Sequence, residues 1–87
     1  MYAIKYERRA ERELLSLSRE TARRIARAID NLAQDARPRG CRKITGGGDT
    51  YRIRVGRYRA VYEISEAQQL IVILRVAIRT ERTYREL

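Results

Sequence analysis

Eighty-seven residues are enough for one domain and too few for two, since domains mostly run from about 50 to 200 residues. Histidine is absent and cysteine occurs once, at Cys41, which excludes an internal disulfide, a cysteine-built zinc site and every mechanism that uses imidazole as acid, base or ligand. Twenty basic residues stand against 11 acidic ones, a formal charge of +9, and that excess suits a polyanionic partner.

The opening MYAIKYERR has no apolar core for a signal peptide, and Tyr2, Ile4 and Tyr6 alternating with Ala3 and Lys5 predict a half-buried strand. From Ala10 the period lengthens. Ala10, Leu14 and Leu17 fall at helical spacing and predict a first helix over about 8–17, with Ser16 and Ser18 marking its end and offering a cap to the next. Ala22, Ile25, Ala26, Ile29, Leu32 and Ala33 follow the i, i+3, i+4, i+7 rule and predict a second helix, with Arg19, Arg23, Arg24 and Arg27 outside the apolar stripe. Pro38 and Gly40 close it off. Gly46, Gly47 and Gly48 read as a spacer or tight turn, because no Lys followed by Ser or Thr completes a phosphate-binding loop.

Beyond the glycines the period becomes two. In YRIRVGRYRAVYEI, residues 51–64, Gly56-Arg57 has the Gly-X form of a two-residue hairpin turn. That turn fixes the register: Val55 opposite Tyr58, Arg54 opposite Arg59, Ile53 opposite Ala60, Arg52 opposite Val61. Tyr51, Ile53, Val55, Tyr58, Ala60 and Tyr62 then share an apolar face that meets the helices, while Arg52, Arg54 and Arg59 converge on the other. Residues 70–78, LIVILRVAI, suit a central strand, and the aliphatic run Leu70 to Leu74 is far too short to cross a bilayer. The expected fold is α+β in the order β-α-α-β-β-β, one domain over 1–87 with two antiparallel helices on one face of a four-stranded, mainly antiparallel sheet. A soluble, intracellular (cytoplasmic) protein is expected, with no membrane contact, metal or other cofactor.

Charge follows this layout. Residues 1–36 hold eight basic and six acidic residues, 37–59 hold eight and one, and 60–87 hold four and four. Charge kept only for solubility would be spread out, whereas a surface that displaces counterions concentrates it. Eighteen of the 20 basic residues are arginine, whose planar fork grips phosphate with two hydrogen bonds. Arg39, Arg42, Lys43, Arg57 and Arg75 join the hairpin arginines as expected RNA contacts. Arg75 and Arg79 have the same parity on the last strand and share a face if that strand stays regular. The tyrosines read as core or interface residues, except Tyr84 in the polar tail, which is suited to stacking on a base or donating a proton. Cys41 has no paired base and reads as inert.

The element order, the Lys43-Ile44-x-Gly46 approach, the hairpin and the strand ending in VAIRTERTY at 76–84 together resemble the RelE/ParE superfamily of type II toxin-antitoxin toxins over nearly the whole chain. The resemblance implies a RelE-like endoribonuclease that acts on messenger RNA in the ribosome without a metal and is silenced by an antitoxin. It puts the two basic hairpin positions on Arg52 and Arg54, the arginine of the following strand on Arg59, the last-strand arginine on Arg79 and the C-terminal tyrosine on Tyr84. The general base stays open among Arg52, Arg54, Tyr84, Glu63, Glu81 and ribosomal RNA. Arginine stands at 52 and 54 where several relatives have lysine, and Ile78 stands where many have histidine. The alternatives are a gyrase inhibitor of the ParE type and a non-catalytic nucleic-acid or protein-binding module.

Overall fold

A computed structural model of the chain describes residues 1–44, 46 and 48–78. Arg79, Glu81 and Tyr84 lie outside the described residues. The elements are β1 (Ala3–Tyr6), α1 (Arg8–Leu15), α2 (Arg19–Asn31), β2 (Arg42–Lys43), β3 (Thr50–Val55), β4 (Tyr58–Ser65) and β5 (Leu70–Ile78). They build a five-stranded sheet in the order β1-β5-β4-β3-β2, with β1 parallel to β5 and the other pairs antiparallel. The sheet thus has one strand more than the four expected. Two charged residues carry no period, so β2 leaves no mark in the sequence. It exists because the chain reverses through Gly46 (φ +79°) and Gly48 (φ +61°), after which the Ile44 N–H donates to the Thr50 carbonyl at 2.9 Å.

The first helix ends at Leu15, two residues short of the expected span, with Ser16 at its C-cap. Ser18 caps α2, its hydroxyl accepting the Thr21 N–H at 3.2 Å, an arrangement worth about 1 kcal/mol against alanine. The apolar stripe of α2 puts Ile25 and Ile29 into the core with Leu32 and Ala36 beyond the helix end, against Ile53, Ala60, Tyr62, Ile64, Ile71, Ile73 and Val76 of the sheet. The hairpin register is the one required by its turn: Arg54 faces Arg59, Ile53 faces Ala60 and Arg52 faces Val61. Gly56 supplies the positive φ of +60° that the turn needs.

Strict alternation on β5 would place Ile71, Ile73 and Arg75 on one face and drive a guanidinium into the core. A bulge prevents this. Tyr62 pairs with Ile73 but Val61 pairs with Arg75, so Leu74 is the extra residue. Past the bulge Val76 takes up the core face, and Arg75 joins the side of the sheet that carries Arg52.

The partner of Arg75 is Glu13 of α1. β1 pairs with β5 only from Leu70 to Ile73, which leaves the outer edge of β5 open beyond that point. The Glu13 carboxylate occupies that edge. It accepts the Val76 N–H at 2.9 Å, Nε of Arg75 at 3.1 Å and Nη2 of Arg75 at 2.9 Å. One side chain therefore does the work of a missing strand and neutralises a cation whose side chain is only 8% exposed. Arg75, expected among the RNA contacts, is thus placed with its guanidinium buried and paired to Glu13.

A second cluster ties down the segment after α2. The Tyr62 hydroxyl donates to the Ala36 carbonyl at 2.7 Å, and its ring stacks on Tyr51 with centroids 6.0 Å apart. Burial pushes the Tyr62 phenol well above its usual range. Arg37 donates through Nε to the Tyr51 hydroxyl and through Nη1 to Glu66, both at 3.1 Å. Tyr2 also donates to Glu66, at 2.7 Å. The hydrogen bond from Tyr2, followed by that from Arg37, holds the Glu66 carboxyl below its ordinary value.

Two outcomes are expected. Glu13→Gln should lower unfolding free energy by about 2–4 kcal/mol, somewhat under the scale for stripping a fully buried pair because Glu13 is partly exposed. Adding Arg75→Met should recover much of that loss. A urea-unfolding change within about 0.5 kcal/mol, the range of an ordinary surface substitution, would show that other groups hold the edge. For Glu66 the folded pKa is depressed, so its contribution is complete above the unfolded value of about 4.3 and disappears as pH falls through the lower folded value. Glu66→Gln should therefore melt below the wild type at neutral pH, with the gap closing as the solution is acidified below about pH 4. A gap independent of pH would remove the charge of Glu66 from the account.

Candidate nucleic-acid interface

The helices cover one face of the sheet, and arginines line the other. Cross-strand pairing sets them in rows. Arg42, Arg52, Val61 and Arg75 form one row, and Arg54, Arg59 and Ala77 form the next. Residues two apart on a strand lie about 7 Å apart and neighbouring strands about 5 Å, so Arg52, Arg54 and Arg59 fall within the span of one or two phosphates. Arg54 is exposed, Arg59 is partly covered, and Arg52 is only 4% exposed. Arg52 is held by a long hydrogen bond from Nη1 to the Gly40 carbonyl, at 3.4 Å. Like charges directly opposite one another, as Arg54 and Arg59 are, destabilise a sheet by roughly 0.2–1 kcal/mol. The register that buries the apolar face imposes this juxtaposition.

Beside these rows, β2 reaches only as far as Arg52, leaving the rest of β3 at an open edge. There the Pro38–Arg42 segment and the end of α2 enclose a groove of about 710 Å³ lined by Asn31, Pro38, Arg39, Cys41, Arg42 and Arg54, among others. The clamp on Ala36 and Arg37 fixes the start of the segment that carries Arg39 and Arg42. The groove joins an apolar wall to guanidiniums on its rim, a combination that fits a nucleotide better than a free ion.

The structure brings together Arg52, Arg54, Arg59, Arg39 and Arg42. It separates others from them. Lys43 pairs with Tyr51, so alternation turns it to the side opposite Arg42. Arg57 sits at the hairpin tip and lines a shallow pocket with Thr21, Arg24 and Tyr58, on the helical side of the sheet. Arg75 is held by Glu13. Sequence reasoning missed Glu13 and the groove. Glu13 lies three residues after Ala10, on the inward flank of α1, and an acid at such a position is the available signal. Among the described residues, no cluster of cysteine, aspartate and glutamate side chains could hold a metal ion, and none of their helices is long and apolar enough to cross a membrane.

Residues 4–83 match the family model for the ParE toxin of type II toxin-antitoxin systems. A search of curated protein sequences found no match. Among solved structures, the chain is similar to the archaeal RelE-RelB complex from Pyrococcus horikoshii OT3, with 30% identity, a TM-score of 0.81 and coverage of 92% of this chain and 97% of that one. It also resembles the RelBE2 toxin-antitoxin complex from Mycobacterium tuberculosis at 25% identity, TM-score 0.78 and coverage of 90% and 98%. The isolated Escherichia coli RelE toxin shares the fold at 20% identity, with a TM-score of 0.80 over 99% of this chain and 95% of that one. On the strength of a family match spanning nearly its whole length and of an archaeal relative at 30% identity, this chain belongs to the RelE/ParE superfamily of type II toxin-antitoxin toxins.

Proposed function

We propose that this toxin is a ribosome-dependent endoribonuclease that cuts messenger RNA. The observation that carries the reading is the pairing of Arg54 with Arg59 beside Arg52, on the sheet face opposite the described helices. An anion between those guanidiniums turns their repulsion into binding energy. In the reaction, a ribose 2′-hydroxyl attacks the adjacent phosphorus, the bond to the 5′ oxygen of the next nucleotide breaks, and a 2′,3′-cyclic phosphate and a 5′-hydroxyl remain. Arg54 and Arg59 hold the phosphate oxygens as charge develops on them. Arg79 steadies the leaving oxygen, and Tyr84 orients the base or passes a proton. Arg39 and Arg42 guide the flanking strand along the groove. An open arginine face binds phosphate yet does not by itself align an RNA strand, so the ribosome supplies the alignment.

A cognate antitoxin is the second partner, in keeping with the RelB-bound state of the archaeal and mycobacterial relatives and with the +9 charge. Binding to the folded toxin alone raises its stability by about 2.7 kcal/mol at a hundredfold excess over Kd. A second reading, inhibition of DNA gyrase, is favoured by one observation, the match to the ParE family model.

The test adds purified toxin to translating ribosomes and maps messenger ends, with free RNA and a gyrase supercoiling assay in parallel. Cleavage on ribosomes, little on free RNA and unaffected supercoiling are expected. Equal cutting of naked RNA would overturn the ribosome requirement, and inhibited supercoiling with intact messenger would establish the gyrase reading. Arg59→Lys should lower single-turnover cleavage at least about tenfold while changing RNA affinity much less, because charge survives and the bidentate fork is lost.

A further inference from the structure

One wall of the groove is a short strap of chain, and it is fastened at both ends. At the far end the Arg52 guanidinium donates to the Gly40 carbonyl at 3.4 Å, and Arg42 pairs with Arg52 across β2 and β3. Inside the strap the Cys41 N–H donates to the Pro38 carbonyl at 3.0 Å, closing a turn in which Gly40 has a φ of +91°. At the near end the Tyr62 hydroxyl holds the Ala36 carbonyl from the buried side, at 2.7 Å. The next residue, Arg37, is held from the exposed side. Its guanidinium lies over the Tyr51 ring, 5.1 Å from the centroid, and donates to the Tyr51 hydroxyl and to Glu66. Glu66 stands in the turn between β4 and β5, where it also accepts from the Tyr2 hydroxyl.

We infer that Glu66 is a positioning residue for RNA binding: through Arg37 it fixes the strap from which Arg39 and Arg42 meet the strand in the groove. The inference deepens the proposed ribonuclease reading and rests on it for the identity of that strand. Arg39 and Arg42 are exposed, and neither forms an ion pair with a described residue, so their placement comes from the backbone that carries them. That backbone belongs to neither helix, and whatever order it lacks before binding has to be supplied when RNA arrives, at a cost in affinity. Neither Arg37 nor Glu66 lines the groove. Charge and positioning therefore make opposite demands on Glu66. Its replacement by glutamine removes a negative charge from beside a phosphate-binding wall and leaves the Arg37 cation unneutralised, which on charge alone strengthens RNA binding. If the carboxylate serves to hold Arg37, the same substitution weakens binding, because glutamine keeps the shape and gives up the charge-assisted bonds.

The experiment compares the wild type, Glu66→Gln and Tyr51→Phe, each also combined with Arg39→Gln/Arg42→Gln, at a temperature where melting curves show every variant folded. Tyr51→Phe keeps the ring that stacks on Tyr62 and removes only the hydroxyl that accepts from Arg37, so it repeats the test without a change of charge. The probes are a single-stranded RNA of about 10 nucleotides, 2′-O-methylated so that it is not cut, and messenger on ribosomes in single turnover. Glu66→Gln and Tyr51→Phe should each weaken binding of the single strand by about threefold to tenfold, while the cleavage rate at saturating toxin stays within about twofold of the wild type. Without Arg39 and Arg42 the loss should vanish, and Glu66→Gln should then bind slightly more tightly than its parent. Binding by Glu66→Gln as tight as the wild type or tighter would overturn the inference, as would a loss that persists undiminished without Arg39 and Arg42, or a saturated cleavage rate that falls as far as the affinity. A wild type that cuts no messenger, with RNA affinity still dependent on Glu66 through Arg39 and Arg42, would overturn the ribonuclease reading and leave the positioning role standing.

Discussion

The two-residue turn at Gly56-Arg57 governs the rest of the molecule, because a hairpin whose turn length is fixed has no freedom of register. A slip of one residue would move every side chain of the slipped strand to the other face. If β4 slipped, Arg59 would meet Ile25 and Ile29, and the fold would lose its core and its charged surface together. With the register held, burial of Ile53, Ala60 and Tyr62 and exposure of Arg54 are one event rather than two. The arginine face is thus the unavoidable reverse of the hydrophobic face. The repulsion between Arg54 and Arg59 is small beside the roughly 1.5–3 kcal/mol contributed by each large apolar side chain buried on the far side.

The last strand has to conform to that arrangement, and its sequence alone does not. LIVILRVAI is apolar on both parities until Arg75, so alternation gives no indication of where the phase changes. The bulge at Leu74 supplies the correction, and Glu13 covers the edge left where β1 ends. These devices depend on each other. Without the bulge Arg75 would point at the core, and without Glu13 it would be a buried cation with a serious desolvation penalty. Glu13 thereby anchors the end of β5, the strand from which the chain continues toward Arg79.

Much of this was legible in the sequence for identifiable reasons. The second helix, the hairpin register and the apolar face follow from periods of 3.6 and two, which depend only on which residues are apolar. The strand β2 was not legible, since Arg42 and Lys43 pair through their backbones and their side chains say nothing about it. The pairing of Arg75 was not legible because a charge count treats every arginine alike, whereas the partner of this one lies 62 residues away in sequence. Charge is read by partners over faces, and a helix sorts residues by face rather than by segment.

The preference for arginine over lysine restricts how the proposed cleavage can run. A guanidinium stays protonated at every working pH and donates without accepting, so Arg52, Arg54 and Arg59 are suited to binding and charge stabilisation and poorly suited to removing the 2′ proton. Glu63 is the one carboxylate on the rows of β4 beyond them, facing Thr50 and Val72. It lies four residues from Arg59 along the strand, about 13 Å, whereas a base must come within about 3 Å of the proton it takes, directly or through one water. That distance separates the α-carbons, and the side chains of both residues must extend toward each other for Glu63 to serve a phosphate held by Arg59. In the proposed cleavage the guanidiniums act as an electrostatic cradle, and the base is a carboxylate, a phenol or a group of the RNA assembly rather than an arginine.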